Sequence, residues 1–450
     1  MVSKELIFPK NFMFGAATAA YQIEGGRGED GKSDSIWDKF CDIPGKIDNG
    51  DTGNVACDHY HRVEEDIALM QELGLESYRF SVAWTRILPE GTGKVNEKGV
   101  AFYNKLIDGL LAAGIKPLLT CYHWDLPQCL QDRGGWLNPD SCKWYLEYAE
   151  TLFKLFGDRV KDFLTFNEPF VFLDNGYVTG SFPPGIRGDY RAKLLAAHNV
   201  LKSHGMAVRS FRKLVPDGRI GITLDYAYNT SATDKPEDIA AAARANEFWA
   251  GWFFEPVALG HYPETARRWF EEKGLMPNVA EGDMELIAEP IDYLGINYYF
   301  SNYLVADKSI ERDGARQVFP KRNKTAMGWM VTPDGFYDML TYFRKVLKVP
   351  LYITENGIAL NDIVNIHGQV EDWDRIDYLE QYLAVLNRAI SEGLDCRGYY
   401  YWSLMDNFEW AAGYRGRFGL VHVDYETLKR TVKRSGYFYR DVIRAKNQNH

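Results

Sequence analysis

Leu351-Tyr352-Ile353-Thr354-Glu355-Asn356-Gly357 is the stretch on which the reading of this chain turns. Pro350 punctuates its start, and four residues of strand-forming character then run straight into a carboxylate. The Asn-Gly pair that follows predicts a turn. A glutamate that ends a buried strand projects from the C-terminal edge of a sheet, where α/β sheets and barrels carry their chemistry. Asp162-Phe163-Leu164-Thr165-Phe166-Asn167-Glu168-Pro169 has the same build. Its proline is expected to hold Glu168 extended and to stop the strand. Two glutamates delivered in the same way to one mouth suggest paired-carboxylate chemistry, acid/base or nucleophilic. The plainer reading is two strand-end glutamates held in salt bridges.

Working outward, a strand followed by a helix recurs along the chain. Strands are predicted at 12–18, 77–81, 115–122, 163–167, 219–225, 293–297, 351–355 and 398–403. Helical patterns are predicted at 61–73, 98–113, 141–156, 191–214, 335–347 and 375–391, several of them stopped by glycine (Gly74, Gly114, Gly157, Gly393). Eight strands alternating with helices predict a parallel sheet closed into a (β/α)8 TIM barrel, an α/β fold. No linker rich in Pro, Gly or Ser divides the chain, so residues 1–450 read as a single domain. The polar stretches 24–58, 304–332 and 359–374 read as extra loops over the barrel mouth.

Composition narrows the function. Lys and Arg number 52 against 62 Asp and Glu, a net charge of −10, with no basic stripe, which argues against nucleic acid or an anionic membrane as partner. The opening Met1-Val2-Ser3-Lys4-Glu5 leads to a short apolar run before Pro9, which predicts no secretory leader, and no apolar span reaches membrane length. Six scattered cysteines show no metal spacing and predict reduced, packed thiols in a cytoplasmic protein without metal or cofactor. The oligomeric state is left open. Aromatic residues make up 14% of the chain, with 12 Trp and 28 Tyr, more than a core needs and enough to line a cleft with rings.

The strand ends supply a second set of polar and aromatic groups. They include Tyr21-Gln22-Ile23-Glu24, Tyr78-Arg79-Phe80-Ser81, Tyr122-His123-Trp124-Asp125, Asn297-Tyr298-Tyr299 and the run Trp402-Ser403-Leu404-Met405-Asp406-Asn407-Phe408-Glu409-Trp410. Amide and imidazole donors, carboxylate acceptors and flat rings suit a sugar, which offers hydroxyls to bond and an apolar face to stack.

With these motifs in order, the chain resembles glycoside hydrolase family one, the β-glucosidase/β-galactosidase family. T-F-N-E-P at 165–169 resembles the family's acid/base motif and I-T-E-N-G at 353–357 its nucleophile motif. A-A-Y-Q-I-E-G (19–25), Y-R-F-S-V-A-W (78–84), Y-H-W-D-L-P (122–127), G-I-N-Y-Y (295–299) and W-S-L-M-D-N-F-E-W (402–410) extend the match over roughly residues 7–442. The resemblance implies a retaining, two-step hydrolysis of a terminal β-D-glucosyl residue, also a β-galactosyl or β-fucosyl one, from glycosides and short oligosaccharides such as cellobiose. It casts Glu355 as nucleophile and Glu168 as acid/base, with Arg79 and Tyr299 as partners of the nucleophile. It also implies that Gln22, His123, Asn167, Asn297 and Glu409 bind hydroxyls of the terminal sugar, that Trp402 and Trp410 stack and wall it, and that Trp329 is a platform for the departing group. The Trp402-Ser403 peptide is expected to be cis. Phe170 and Phe14, where the family usually has Trp, and Phe172-Leu173-Asp174-Asn175 depart from the pattern on what is expected to be the leaving-group side. Glu409 argues against a 6-phosphoglycoside, whose dianion a carboxylate would repel, and Glu168 against the thioglucosidase branch, which lacks its acid.

Two other readings compete. Gly26-Arg27-Gly28-Glu29-Asp30-Gly31-Lys32-Ser33 satisfies both the dinucleotide and the P-loop spacing. Against it, Glu29 and Asp30 would place negative charge among the amides meant for phosphate, and no good strand precedes it. A non-catalytic, sugar-binding barrel would keep the rings and lose a carboxylate, whereas both are present here.

Overall fold

The computed structural model describes residues 6–448. The leader reading falls on residues 1–5 and lies outside the described residues. Eight strands form a closed, all-parallel barrel: β1 (Met13–Ala17), β2 (Ser77–Ser81), β3 (Lys116–Tyr122), β4 (Asp162–Asn167), β5 (Arg219–Asp225), β6 (Tyr293–Asn297), β7 (Leu351–Asn356) and β8 (Cys396–Trp402). They neighbour one another in sequence order, and β8 closes on β1, Met13 opposite Gly398 through Ala17 opposite Trp402. All eight predicted strands are present, with ends displaced by up to two residues. The predicted helices are His59–Glu72, Glu97–Ala112, Ser141–Phe156, Tyr190–Leu214, Pro333–Val346 and Trp373–Ser391. Each buries the apolar stripe that predicts it; Val63, Ile67 and Met70 face inward in the first.

Several elements escape the sequence reading. Between β5 and β6 the chain runs through Pro236–Asn246, Trp252–Leu259 and Glu264–Glu272, interrupted by a wide turn at Glu247–Gly251 and by Pro256 within a helix. Such interruption hides a helical period. The stretch 304–332 is not all loop: a small sheet joins Asn229–Ser231, Asn302–Ala306 and Ala315–Val318. A final helix, Arg434–Gln448, packs under the N-terminal end of the barrel, where Lys446 Nζ donates to the Phe12 carbonyl and to Glu76.

Phe14 belongs to that closed end, correcting its expected place on the leaving-group side. It is fully buried among Phe8, Phe12 and Tyr439, with ring centroids 5.0, 5.0 and 5.8 Å away. The Asn356-Gly357 pair makes no turn. β7 continues through Asn356, whose Nδ2 donates to the Tyr298 carbonyl and the Tyr378 hydroxyl. Gly357 is needed for closeness: a Cβ there would run into the Trp402 carbonyl. Glu168 is not extended either. It sits at φ 48°, ψ 63°, the left-handed region, directly before the Pro169–Asp174 helix.

Candidate active site

At the C-terminal mouth, β4 and β7 bring the two predicted glutamates to one cavity of about 530 Å³. Among its lining are His123, Glu168, Tyr299, Trp329, Glu355, Trp402, Glu409 and Trp410, eight of the residues picked out from sequence. Gln22, Arg79, Asn167 and Asn297 lie beneath this surface, all fully buried. Glu168, Trp124 and Trp410 on the wall hold positive φ (48°, 77° and 54°), a conformation that costs non-glycine residues energy and that clusters at functional sites.

The buried layer ties the two carboxyls together. Arg79, from the middle of β2, donates from Nη1 to Glu355 Oε1 at 2.6 Å and from Nη2 to Asn167 Oδ1 at 2.6 Å. Asn297, ending β6, donates from Nδ2 to Asn167 Oδ1 at 3.0 Å and to Glu168 Oε1 at 2.8 Å. Its own Oδ1 accepts from the Thr354 hydroxyl at 2.8 Å, which fixes the amide's orientation. Tyr299 Oη donates to the second oxygen of Glu355 at 2.6 Å.

These contacts separate the two groups electrostatically. Burial, then the charges of Glu355 and Asp225, push the Glu168 carboxyl well above the ordinary carboxylate range. Burial raises Glu355 as well, but the Arg79 cation and the Tyr299 and Asn297 donors oppose it. Of two acids sharing one enclosed site, the one bonded to a guanidinium gives up its proton first. The plainer salt-bridge reading therefore describes Glu355 alone; Glu168 has no cationic partner among the described residues.

A second polar cluster faces this pair. Gln22 Nε2 donates to Asn407 Oδ1 at 2.9 Å, the Phe408 carbonyl at 2.8 Å and Glu409 Oε2 at 3.4 Å. Burial and the Glu355 charge push Glu409 up to about 8, against hydrogen bonds from Gln22 and Trp402. Burial and Arg79 hold the His123 imidazole well below its ordinary value, so it is neutral, and its Nε2 lies 3.0 Å from Asn167 Nδ2. Trp402 stacks on His123 with centroids 5.9 Å apart, and the Trp402-Ser403 peptide is cis. Trp329 is half-buried on the opposite side against Tyr299 and Phe300, at 5.3 and 5.5 Å.

Other lining residues went unremarked in the sequence. Trp124 donates from Nε1 to the Asn167 carbonyl at 2.8 Å. It stands inside the Tyr122-His123-Trp124-Asp125 run, and that was its signal. Asp225 ends β5 as Glu355 nearly ends β7, a strand-end carboxylate that was not singled out from the sequence. Burial, then the Glu355 charge, bring its carboxyl to about 6, although Trp249 Nε1 donates to it at 2.9 Å. Trp249 lies in the interrupted segment after β5 and carried no signal. Phe170 stands behind it, stacked at 4.3 Å and 27°, and Phe172 packs inward on Tyr122 at 5.3 Å, so neither phenylalanine faces the cavity, whereas Asn175, at the end of the atypical Phe172–Asn175 stretch, lines it.

The phosphate-loop reading fails on geometry. The glycine-rich stretch follows a short helix, Ala20–Ile23, and contains a single 3-10 turn, Glu29–Gly31. Arg27 there is spent on Asp34 and Asp42, and Asp30 on Lys98.

A closed (β/α)8 barrel with two unlike, buried carboxyls in a ring-lined cleft at its mouth defines a glycoside hydrolase. The sequence profile of Glycosyl hydrolase family 1 matches residues 4–448. Beta-glucosidase A of Acetivibrio thermocellus is 48% identical over 98% of this chain and 99% of its own length. Beta-glucosidase A of Thermotoga maritima is 47% identical over 97% and 98%. A structure of the beta-glucosidase from Thermotoga maritima in complex with glucoimidazole superposes with a TM-score of 0.94 at 46% identity, covering 98% of this chain and 99% of that one. The chain belongs to glycosyl hydrolase family 1.

Proposed function

We propose that the enzyme is a retaining β-glucosidase in which Glu355 is the nucleophile and Glu168 the acid/base. The observation that carries this reading is the contrast between the carboxyls: Glu355 is bonded by Arg79 and Tyr299, while Glu168 has only the neutral Asn297. Ionised Glu355 attacks the anomeric carbon, and protonated Glu168 gives its proton to the departing oxygen. The Glu355 charge is lost in the glycosyl-enzyme ester. Glu168 then ionises readily and takes a proton from the water that releases the sugar. Retaining enzymes hold their carboxyls roughly 5–5.5 Å apart and inverting ones roughly 6.5–9.5 Å. Both carboxyls line the same cavity and the Glu355 charge raises Glu168, which supports the closer class.

Gln22, His123, Asn167, Asn297 and Glu409 bind hydroxyls of the terminal sugar in this reading. Trp402 and Trp410 stack and wall it, and Trp329 carries the departing group. The β-glucosidase names of the relatives support glucose as the terminal sugar, and a Thermotoga maritima relative in complex with galacto-hydroximolactam, 45% identical, supports tolerance of galactose. Cellobiose is the short oligosaccharide we assign. The six cysteines are unpaired, which supports a reducing, cytoplasmic setting.

Glu355→Ala tests the assignment. On p-nitrophenyl β-D-glucoside it should lose several orders of magnitude in kcat, and azide should restore part of the activity by forming an α-glucosyl azide. Activity near that of the unmodified enzyme, or azide rescue giving a β-azide, would overturn it.

A further inference from the structure

Strand β7 carries an extra residue just before Glu355. Ile353 is paired with Ile296 of β6 and Glu355 with Asn297, so Thr354 is left without a register partner on that side. Successive side chains of a regular strand point to opposite faces. A bulge re-aims them, and bulges recur beside active sites. Here two consecutive side chains turn to the same network: the Glu355 carboxyl bonds to Arg79, and the fully buried Thr354 hydroxyl bonds to Asn297. The Thr354 carbonyl is held as well, accepting from Arg79 Nη1 at 3.1 Å.

The hydrogen bonds around this bulge run in one direction, and Arg79 sets it. A guanidinium only donates, so Asn167 turns its Oδ1 toward Arg79 Nη2. With that oxygen 3.0 Å away, Asn297 must present its NH2 group, whose other hydrogen goes to Glu168 Oε1 at 2.8 Å. Asn297 Oδ1 is then left facing β7, where the Thr354 hydroxyl is its donor. An N–H needs a lone pair opposite it, so Oε1 is closed to a proton and the acid carries its hydrogen on Oε2. Among the described residues Oε2 has no partner, and its side chain lines the catalytic cavity.

We propose that Thr354 is a positioning residue for the acid step: by donating to Asn297 it keeps the amide NH2 on Glu168 Oε1 and confines the transferable proton to Oε2. The inference rests on Glu168 being the acid/base and adds how its proton is aimed. In the first half-reaction the proton passes from Oε2 to the departing oxygen, which keeps the electron pair of the broken C–O bond while Glu355 forms the new one. In the second, a proton of the attacking water returns to Oε2. Without the hydroxyl, Asn297 Oδ1 is a buried acceptor lacking a donor, and the Glu168 proton is within its reach. An amide turned to take that hydrogen holds it on Oε1, away from the leaving group. Ionised Glu168 has no such hydrogen and itself draws the NH2 back, so the water step is spared.

Steady-state kinetics of Thr354→Val, Thr354→Ala and Thr354→Ser on phenyl β-D-glucoside, whose leaving group needs a proton, and on 2,4-dinitrophenyl β-D-glucoside, whose leaving group does not, test this. Loss of the hydroxyl should lower kcat/KM on the phenyl glucoside about ten- to thirtyfold, a part of the roughly hundredfold or more that a general acid supplies. Both kcat and kcat/KM on the dinitrophenyl glucoside should stay within about threefold, which also shows that the variant is folded. Thr354→Ser keeps the donor and should restore the phenyl glucoside to within about threefold of the unmodified enzyme. Thr354→Ala decides if the added methyl of valine does not fit against Gly295, which the Thr354 side chain already crowds. Four results overturn the assignment while leaving Glu168 as the acid: no loss, equal loss on both glucosides, failure of both hydroxyl-free variants to fold, or a serine variant as impaired as the valine one. If Glu168→Gln leaves the ratio of the two kcat/KM values unchanged, the acid/base reading falls, and the role of Thr354 with it.

Discussion

At the scale of single residues, the site works by giving like groups unlike surroundings. Glu168, Glu355, Asp225 and Glu409 all line one cavity, yet only Glu355 is bonded to a guanidinium. Asp225 is the informative member of this set. Its register partner across β5 and β6 is Asn297, the residue that donates to Glu168, so a charge on Asp225 stands beside the acid, on the strand between β4 and β6. Other charged groups bearing on Glu168 are Arg79 and Glu355, with Tyr299 and the neutral His123 uncharged beside them. A nearby anion disfavours ionisation of Glu168 and so raises its proton affinity. Asp225→Asn keeps an oxygen for the Trp249 N–H and removes only the charge. The alkaline limb of kcat/KM against pH, which reports Glu168 deprotonating, should therefore move to lower pH, by roughly half to one unit. Above that limb, p-nitrophenyl glucoside should suffer and 2,4-dinitrophenyl glucoside, which needs no proton, should not. A limb that stays in place would remove Asp225 from the electrostatics of the acid.

At the scale of elements, the site depends on how closely β7 and β8 approach. Gly357 follows β7 where a side chain would meet the Trp402 carbonyl, and Trp402 ends β8 on the cavity wall. Gly357→Ala should force the two strand ends apart. Overpacking of this kind costs about 1–3 kcal/mol, and because Glu355 and Trp402 flank the contact, kcat should fall along with the melting temperature. Stability and kcat both equal to the parent's would mean that the contact is slack. This is also where sequence reasoning reached its limit. The apolar run and terminal carboxylate of 351–355 were legible because strand burial has a period and a composition. The role of Gly357 was not, because the atom it avoids lies 45 positions away, in Trp402. Asn-Gly is a turn signal when local geometry decides; here a distant carbonyl decides. The same holds for Glu168, whose left-handed backbone is imposed by packing at the mouth against the extended preference before proline. Trp249 was invisible for a different reason, since a helix broken at Glu247–Gly251 shows no sustained period.

At the scale of the whole molecule, the loops over the mouth are bound to one another by a buried set of charges. Lys433 is fully buried and donates to Asp362 Oδ2 at 2.5 Å and Asp406 Oδ1 at 2.6 Å. Arg417 bonds to Asp406 at 2.7 Å, and Arg375 to Asp362 at 2.7 Å and Asp372 at 3.1 Å. Three carboxylates face three cations, drawn from the loop after β7, the helix Trp373–Ser391, the run after β8 and the segment leading to the last helix. Sequence-distant parts of the chain meet there, three residues before Glu409. Lys433→Met keeps the length of the side chain and removes its charge, leaving three carboxylates against two cations around a fully buried position. Removing one partner from a buried charge set costs about 3–5 kcal/mol, far more than the loss of an exposed pair. The melting temperature should drop by several degrees. The KM for aryl glucosides should rise more than kcat falls, because Asp406 anchors the run that carries Glu409 while Glu168 and Glu355 stand on other strands. A variant as stable as the parent, or one that loses kcat alone, would show that the network does not hold the sugar-binding run in place.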